Sequence, residues 1–191
     1  MRAKALLAAI MLALFAPVAM AETMVTPPYP AKPAWKLITD KGNAQAHIRE
    51  WIPAGQSENN ILDILTEQTF FTIKNGNPAA MIANIAQGAQ SACDSLRVNG
   101  PKRATENGYP VAYAQIYCGH QKGTPFDVTI FIKAIGGREA LYVVQREFHR
   151  ATQGGPAGVV SFDRPEDAKA LLADQSAADK YLASAVRLNA K

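Results

Sequence analysis

Three runs near the middle of the chain limit the fold more than any other feature: YPVAYAQIYC (109–118), FDVTIFIKAI (126–135) and EALYVVQREFH (139–149). They are rich in β-branched and aromatic residues and alternate with the two-residue period of a strand. In the first, Ala112, Ala114, Ile116 and Cys118 share one face, and Val111, Tyr113, Gln115 and Tyr117 share the other. In the last, Tyr142, Val144, Arg146 and Phe148 lie opposite Leu141, Val143, Gln145, Glu147 and His149. The Gly136-Gly137 pair between the second and third runs marks a hairpin. Strands joined in this way form an antiparallel sheet whose apolar positions need a covering layer.

The segment just upstream supplies one. Asn77 is a good N-cap, Pro78 suits the first helical position, and Ile82, Ile85, Ala89 and Cys93 recur at helical spacing. A helix over Asn77–Cys93 therefore presents its apolar stripe, ending in Cys93, to the sheet. Further upstream, WKLITDKGNAQAHIREWIP predicts two short strands turning around Asp40 to Asn43. In SENNILDIL, Ser57 as cap with Ile61, Ile64 and Leu65 predicts a short helix, while the following TEQTFFTI has strand chemistry. NGPKRATENG reads as a glycine-bounded loop at a hairpin tip carrying Lys102 and Arg103. After the hinge ATQGGPAG, Asp163 as cap and Pro165 in the first turn predict one helix, and AADKYLASAVRL predicts another. The fold class expected is α+β: a twisted, mainly antiparallel sheet with one long helix on a face and a helical C-terminus.

The N-terminus indicates where such a chain works. Arg2 and Lys4 precede an apolar run that ends before Pro17, and Ala19-Met20-Ala21 follows. A basic start, short apolar core and A-x-A end make a secretory signal peptide over residues 1–21, with cleavage expected after Ala21. The run is shorter than the roughly 20 residues a membrane span needs, so no span is expected after cleavage. Of 191 residues, 170 would remain after losing 21. Residues 22–34, with four prolines in TPPYPAKPAW, read as a proline-rich extended arm that either spaces or docks the domain. Residues 35–191 form the single α+β domain. Without Arg2 and Lys4 the basic count falls from 20 to 18 against 16 acidic residues, with no block of like charge. Neither nucleic acid nor an anionic membrane is implied as a partner.

An exported chain whose cysteine count is two most simply makes one disulfide, here Cys93 with Cys118. The stretch QIYCGHQ also admits Cys118 as a nucleophile with His120 as its base. That use needs a third residue to orient the imidazole, and none is evident in the sequence. His47, His120 and His149 are scattered, without the close spacing of a metal site, so no metal ligands are assigned. Glu147 and His149 make either an acid–base pair or part of a polar sheet face. Arg146, between Val144 and Phe148, either snorkels to the sheet edge or marks a ligand-facing pocket with Tyr142 and Phe148. No nucleophile elbow, P-loop or dinucleotide fingerprint occurs, so neither catalytic residues nor cofactors are assigned.

ENGYPVAYAQIYCGHQ, FDVTIFIKAIGGREALYVVQREFH and REWIPAGQSENN together resemble small exported proteobacterial proteins of uncharacterised function. The order of elements is also similar to that of PsbP-like domains, in which a twisted antiparallel sheet carries helices. The resemblance implies export and fold, and no catalytic residues. The function expected is a periplasmic binding or accessory domain, not an enzyme, whose partner is an envelope protein or a small ligand. The alternatives are a hydrolase or transferase with an acid–base site, and a component of an envelope secretion apparatus.

Overall fold

A computed structural model describes residues 22–26, 34–57, 60–162 and 164–190. The expected signal peptide, most of the expected proline-rich arm and the expected cap Asp163 lie outside the described residues. The chain runs β1 (Glu22–Val25), β2 (Trp35–Gly42), β3 (Ala46–Pro53), β4 (Asp63–Phe70), α1 (Pro78–Ala92), β5 (Cys93–Glu106), β6 (Tyr109–Gln121), β7 (Phe126–Gly136), β8 (Leu141–Ala151), α2 (Pro165–Lys180), a π-helical turn (Tyr181–Ala185) and β9 (Arg187–Ala190). Seven strands form one sheet in the order β2-β3-β4-β8-β7-β6-β5, and β1 and β9 make a separate pair. Every pairing in the large sheet is antiparallel. The expected α+β class is what the structure shows.

The alternation in β6, β7 and β8 gives the sheet two buried faces. On one, α1 sets Ala79 and Ile82 against Ala112, Ala114, Ile132, Ala134, Leu141 and Val143. Alanine at three of these positions lets the helix approach closely. Asn77 caps α1 as its sequence suggests, its Oδ1 accepting from the Ala79 and Ala80 amides at 3.0 and 3.2 Å. On the other face, Val111, Phe131, Ile135, Tyr142, Val144 and Phe148 are covered by Ala178, Tyr181, Leu182, Val186 and Leu188. Each such side chain, fully buried, contributes on the order of 1.5–3 kcal/mol. The first residues of the arm do not stay apart from the domain. Glu22 to Val25 pair with β9, and the buried Glu22 carboxylate accepts from the Arg138 and Glu139 amides in the β7–β8 turn at 2.8 and 3.0 Å.

Three local expectations are corrected. Ile61, Ile64 and Leu65 do not form a helix: Asp63–Phe70 is strand β4, hydrogen-bonded between β3 and β8. NGPKRATENG is not a loop, because β5 runs through Glu106 with a bulge between Asn99 and Lys102. Its tip is Asn107-Gly108 alone, with φ of 50° and 79°, the left-handed pair that a tight hairpin requires. The two expected C-terminal helices are one, α2, which widens into the π turn and is followed by β9.

Cys93 is both the C-cap of α1 and the first residue of β5, while Cys118 sits on the α1 face of β6. Their sulfurs are joined, with Cα atoms 5.4 Å apart across a separation of 25 residues. Closing a loop of this length stabilises the fold by about 3 kcal/mol through loss of unfolded-chain entropy. The double variant Cys93→Ala/Cys118→Ala is therefore expected to lose about that much in a urea unfolding titration, with a steeper transition because the unfolded chain without its cross-link exposes more surface.

Candidate functional site

Tyr142, Arg146 and Phe148 share a face as the alternation requires, but that face does not open on solvent. Their exposures are 3%, 3% and 1%. Arg146 forks onto Asp63, Nε to Oδ1 at 2.9 Å and Nη2 to Oδ2 at 2.5 Å. Its guanidinium lies 5.0 Å from the Trp35 ring and 4.7 Å from the Phe148 ring. Burial raises the Asp63 carboxyl above its usual range, and the bonds from Arg146 offset part of that rise. Burial first, then Glu22 and Glu139, push Tyr142 up to about 12, so it stays a neutral phenol. The trio expected to face a ligand is therefore core. Alternation assigns residues to a face but does not say which element covers it.

Glu147 and His149 share the opposite face of β8, with His149 Nε2 3.5 Å from Glu147 Oε2. Glu147 also accepts from the Gln145 amide at 3.1 Å, and the His149 ring packs 5.9 Å from Phe126. The other two histidines have carboxylate partners of their own. His47 meets Asp40 at 2.6 Å across the β2–β3 hairpin, and His120 meets Asp94. The three histidines do not converge, and among the described residues no cluster of three His, Cys, Asp or Glu side chains could hold a metal ion.

Cys118 is not His120's nucleophile, because its sulfur is bonded to Cys93. The disulfide instead sets the histidine's partner. It links the residue before Asp94 to the residue two before His120, and Nδ1 of His120 lies 2.5 Å from Oδ2 of Asp94. His120 adopts φ of 53°, which is uncommon for a side chain of this size. Its amide donates to Asp127 Oδ1 at 2.7 Å, and the same oxygen accepts from Thr152 Oγ1 at 2.8 Å. The bond to Asp94 is the main cause that raises the His120 pKa. Asp94, Ser95, His120, Thr152, Gly154 and Gly155 border a hollow of about 230 Å³.

A larger cleft of about 480 Å³ lies between β5–β7 and the C-terminal segment. Phe131, Leu182 and Tyr113 give it an apolar lining, with Asn99, Lys102, Gln115 and Asp179 as polar groups. The β5 bulge shapes one wall. Gly100 has φ of 113°, and a Cβ there would lie 2.7 Å from the Tyr113 carbonyl oxygen, so glycine lets the strand bend against β6. Close to the cleft, fully buried Lys133 donates to Glu106 Oε2 at 2.6 Å, to the Val186 carbonyl at 2.6 Å and to the Leu182 carbonyl at 3.0 Å. Tyr113 Oη donates to the same Glu106 carboxylate. Burial lowers the Lys133 pKa, and Glu106 partly restores it. Its signal in the sequence is a lysine between Phe131 and Ile135 on one apolar strand face.

No protein-family model matches the sequence, and no curated protein matches it. Two solved structures are similar in part. A protein of unknown function from Pseudomonas aeruginosa, PA94, is 12% identical with a TM-score of 0.40, over 71% of this chain and 82% of that one. LpqN of Mycobacterium tuberculosis, described as involved in cell envelope biogenesis, is 12% identical with a TM-score of 0.37, over 88% and 83%.

Two outcomes follow from these ion pairs. Lys133→Ala leaves two carbonyls and a carboxylate without their ammonium, and should cost about 3–5 kcal/mol in denaturant unfolding, with faster amide exchange over 178–188. His120 has a raised folded pKa, so its contribution is complete below about 6.5, its unfolded value, and is lost as pH rises through the folded value. Stability of the natural chain relative to His120→Asn, which tolerates the left-handed backbone, should therefore shrink as pH rises above the unfolded value and through the folded one. A difference independent of pH would rule out the ion pair as its source.

Proposed function

We propose that this chain is an exported periplasmic binding or accessory domain, which uses the cleft between β5 and the C-terminal segment to hold its ligand or envelope partner. One observation carries the reading: a concavity of about 480 Å³ combines an apolar floor with a few polar groups, the composition ligand sites favour. The disulfide supports an oxidising compartment, in keeping with the Ala19-Met20-Ala21 cleavage pattern. A second reading, a hydrolase or transferase, is favoured by a single observation, the Asp94–His120 pair beside its own hollow.

Protein recovered from a periplasmic extract is expected to begin at Glu22. In a fragment screen followed by NMR, shifts should concentrate on Tyr113, Gln115, Phe131 and Leu182, and Gln115→Trp, which fills the cleft, should abolish them. Hits that map elsewhere or survive the filled cleft would overturn the binding site. Turnover of ester or phosphate substrates that His120→Asn removes would replace it with the enzyme reading.

A further inference from the structure

β5 ends the large sheet, and its outer edge pairs with no strand among the described residues. Past the bulge, Lys102, Arg103, Ala104 and Thr105 are all exposed. Such an edge presents unused backbone donors and acceptors, the template for adding a strand. What distinguishes this edge is the presence of a cavity on each side of it. Lys102 pairs with Tyr113, on the face of the 480 Å³ cleft, and lines it. Arg103 pairs with Ala112, on the α1 face, and lines a second cavity of about 370 Å³ with Asn77, Pro78 and Pro110. Successive side chains of any added strand point to alternate faces. One residue would therefore enter the cleft while its neighbour enters the second cavity.

Charge selects the occupant. The exposed charges along β5 are Asp94, which is paired with His120, and the cations Arg97, Lys102 and Arg103, and the α1 N-terminus bordering the second cavity has no acidic residue in its first turn. A second copy pairing through this edge would bring like cations together. An acidic strand would neutralise them. We propose that β5 captures an extended acidic segment of a partner protein by strand addition. In that segment a carboxylate side chain meets Arg103 and an adjacent apolar side chain fills the cleft beside Phe131 and Leu182. The proposal rests on the binding-domain reading and specifies the partner for the same cleft.

The test uses the mature chain and three capped eight-residue peptides: alternating glutamate and valine, alternating lysine and valine, and the first with alternate backbone nitrogens methylated. The glutamate peptide is expected to bind and to slow amide exchange within Lys102–Glu106. The other two should bind at least tenfold more weakly, and Arg103→Glu should reverse the preference between glutamate and lysine. Equal binding of the methylated peptide, protection on β2 instead, or peptide-free dimerisation that protects β5 would each overturn strand addition. Fragment occupancy of the cleft without peptide binding would sink this proposal alone. Loss of both would remove the binding-domain reading with it.

Discussion

An ammonium group with no exposure to water has to be surrounded by acceptors, and Lys133 draws its acceptors from two distant parts of the chain. Glu106 comes from the β5–β6 hairpin, and the Leu182 and Val186 carbonyls come from the C-terminal π turn and the residue that follows it. All three ammonium protons are thereby used. The π turn has a physical role here: widening the helix at Tyr181–Ala185 precedes the exit into β9 and leaves two carbonyls facing one nitrogen. The C-terminal segment is thus fixed on the sheet by polar geometry as well as by Leu182 and Val186. The cleft depends on this latch, since Leu182 is part of its lining.

Arg146 is a second cation buried on the same sheet face. Its planar fork matches one carboxylate, Asp63, and two aromatic rings flank it. Arginine is suited to such a site because it keeps its charge and bonds bidentately. The pair fastens β4 to β8 and closes that half of the face. Lysine is a point charge whose acceptors approach from several directions, and around Lys133 they come from separate elements.

The sequence makes some of this legible and conceals the rest for physical reasons. β6 is buried on both faces yet keeps alternation, because Ala112 and Ala114 alternate with the bulkier Val111 and Tyr113. The α1 cap is local chemistry and is read locally. β4 is not: Ile61, Ile64 and Leu65 fit helical spacing, but Asp63–Phe70 gains hydrogen bonds on both edges from β3 and β8, partners remote in sequence. β5 was hidden by Gly100-Pro101, which reads as a loop and is instead a bulge inside a long strand. The candidate trio Tyr142, Arg146 and Phe148 was assigned to the right face of β8 and the wrong environment. Their cover comes from segments at the two ends of the domain, including Trp35 and Leu182, and no local pattern announces such a return.

Cys118 and His120 show how a disulfide can do more than lower the entropy of the unfolded chain. A cross-link between Cys93 and Cys118 fixes the start of β5 against the end of β6, the two places that carry Asp94 and His120. The side chains that meet are therefore neighbours of the cysteines, one residue after the first and two after the second. Gly119 separates cysteine from histidine and pairs across the ladder with Ser95, where an added Cβ would lie 2.4 Å from the serine oxygen. Within the last residues of β6, His120 adopts a left-handed conformation with its amide held by Asp127. The covalent bond, the glycine and Asp127 therefore act on the same imidazole.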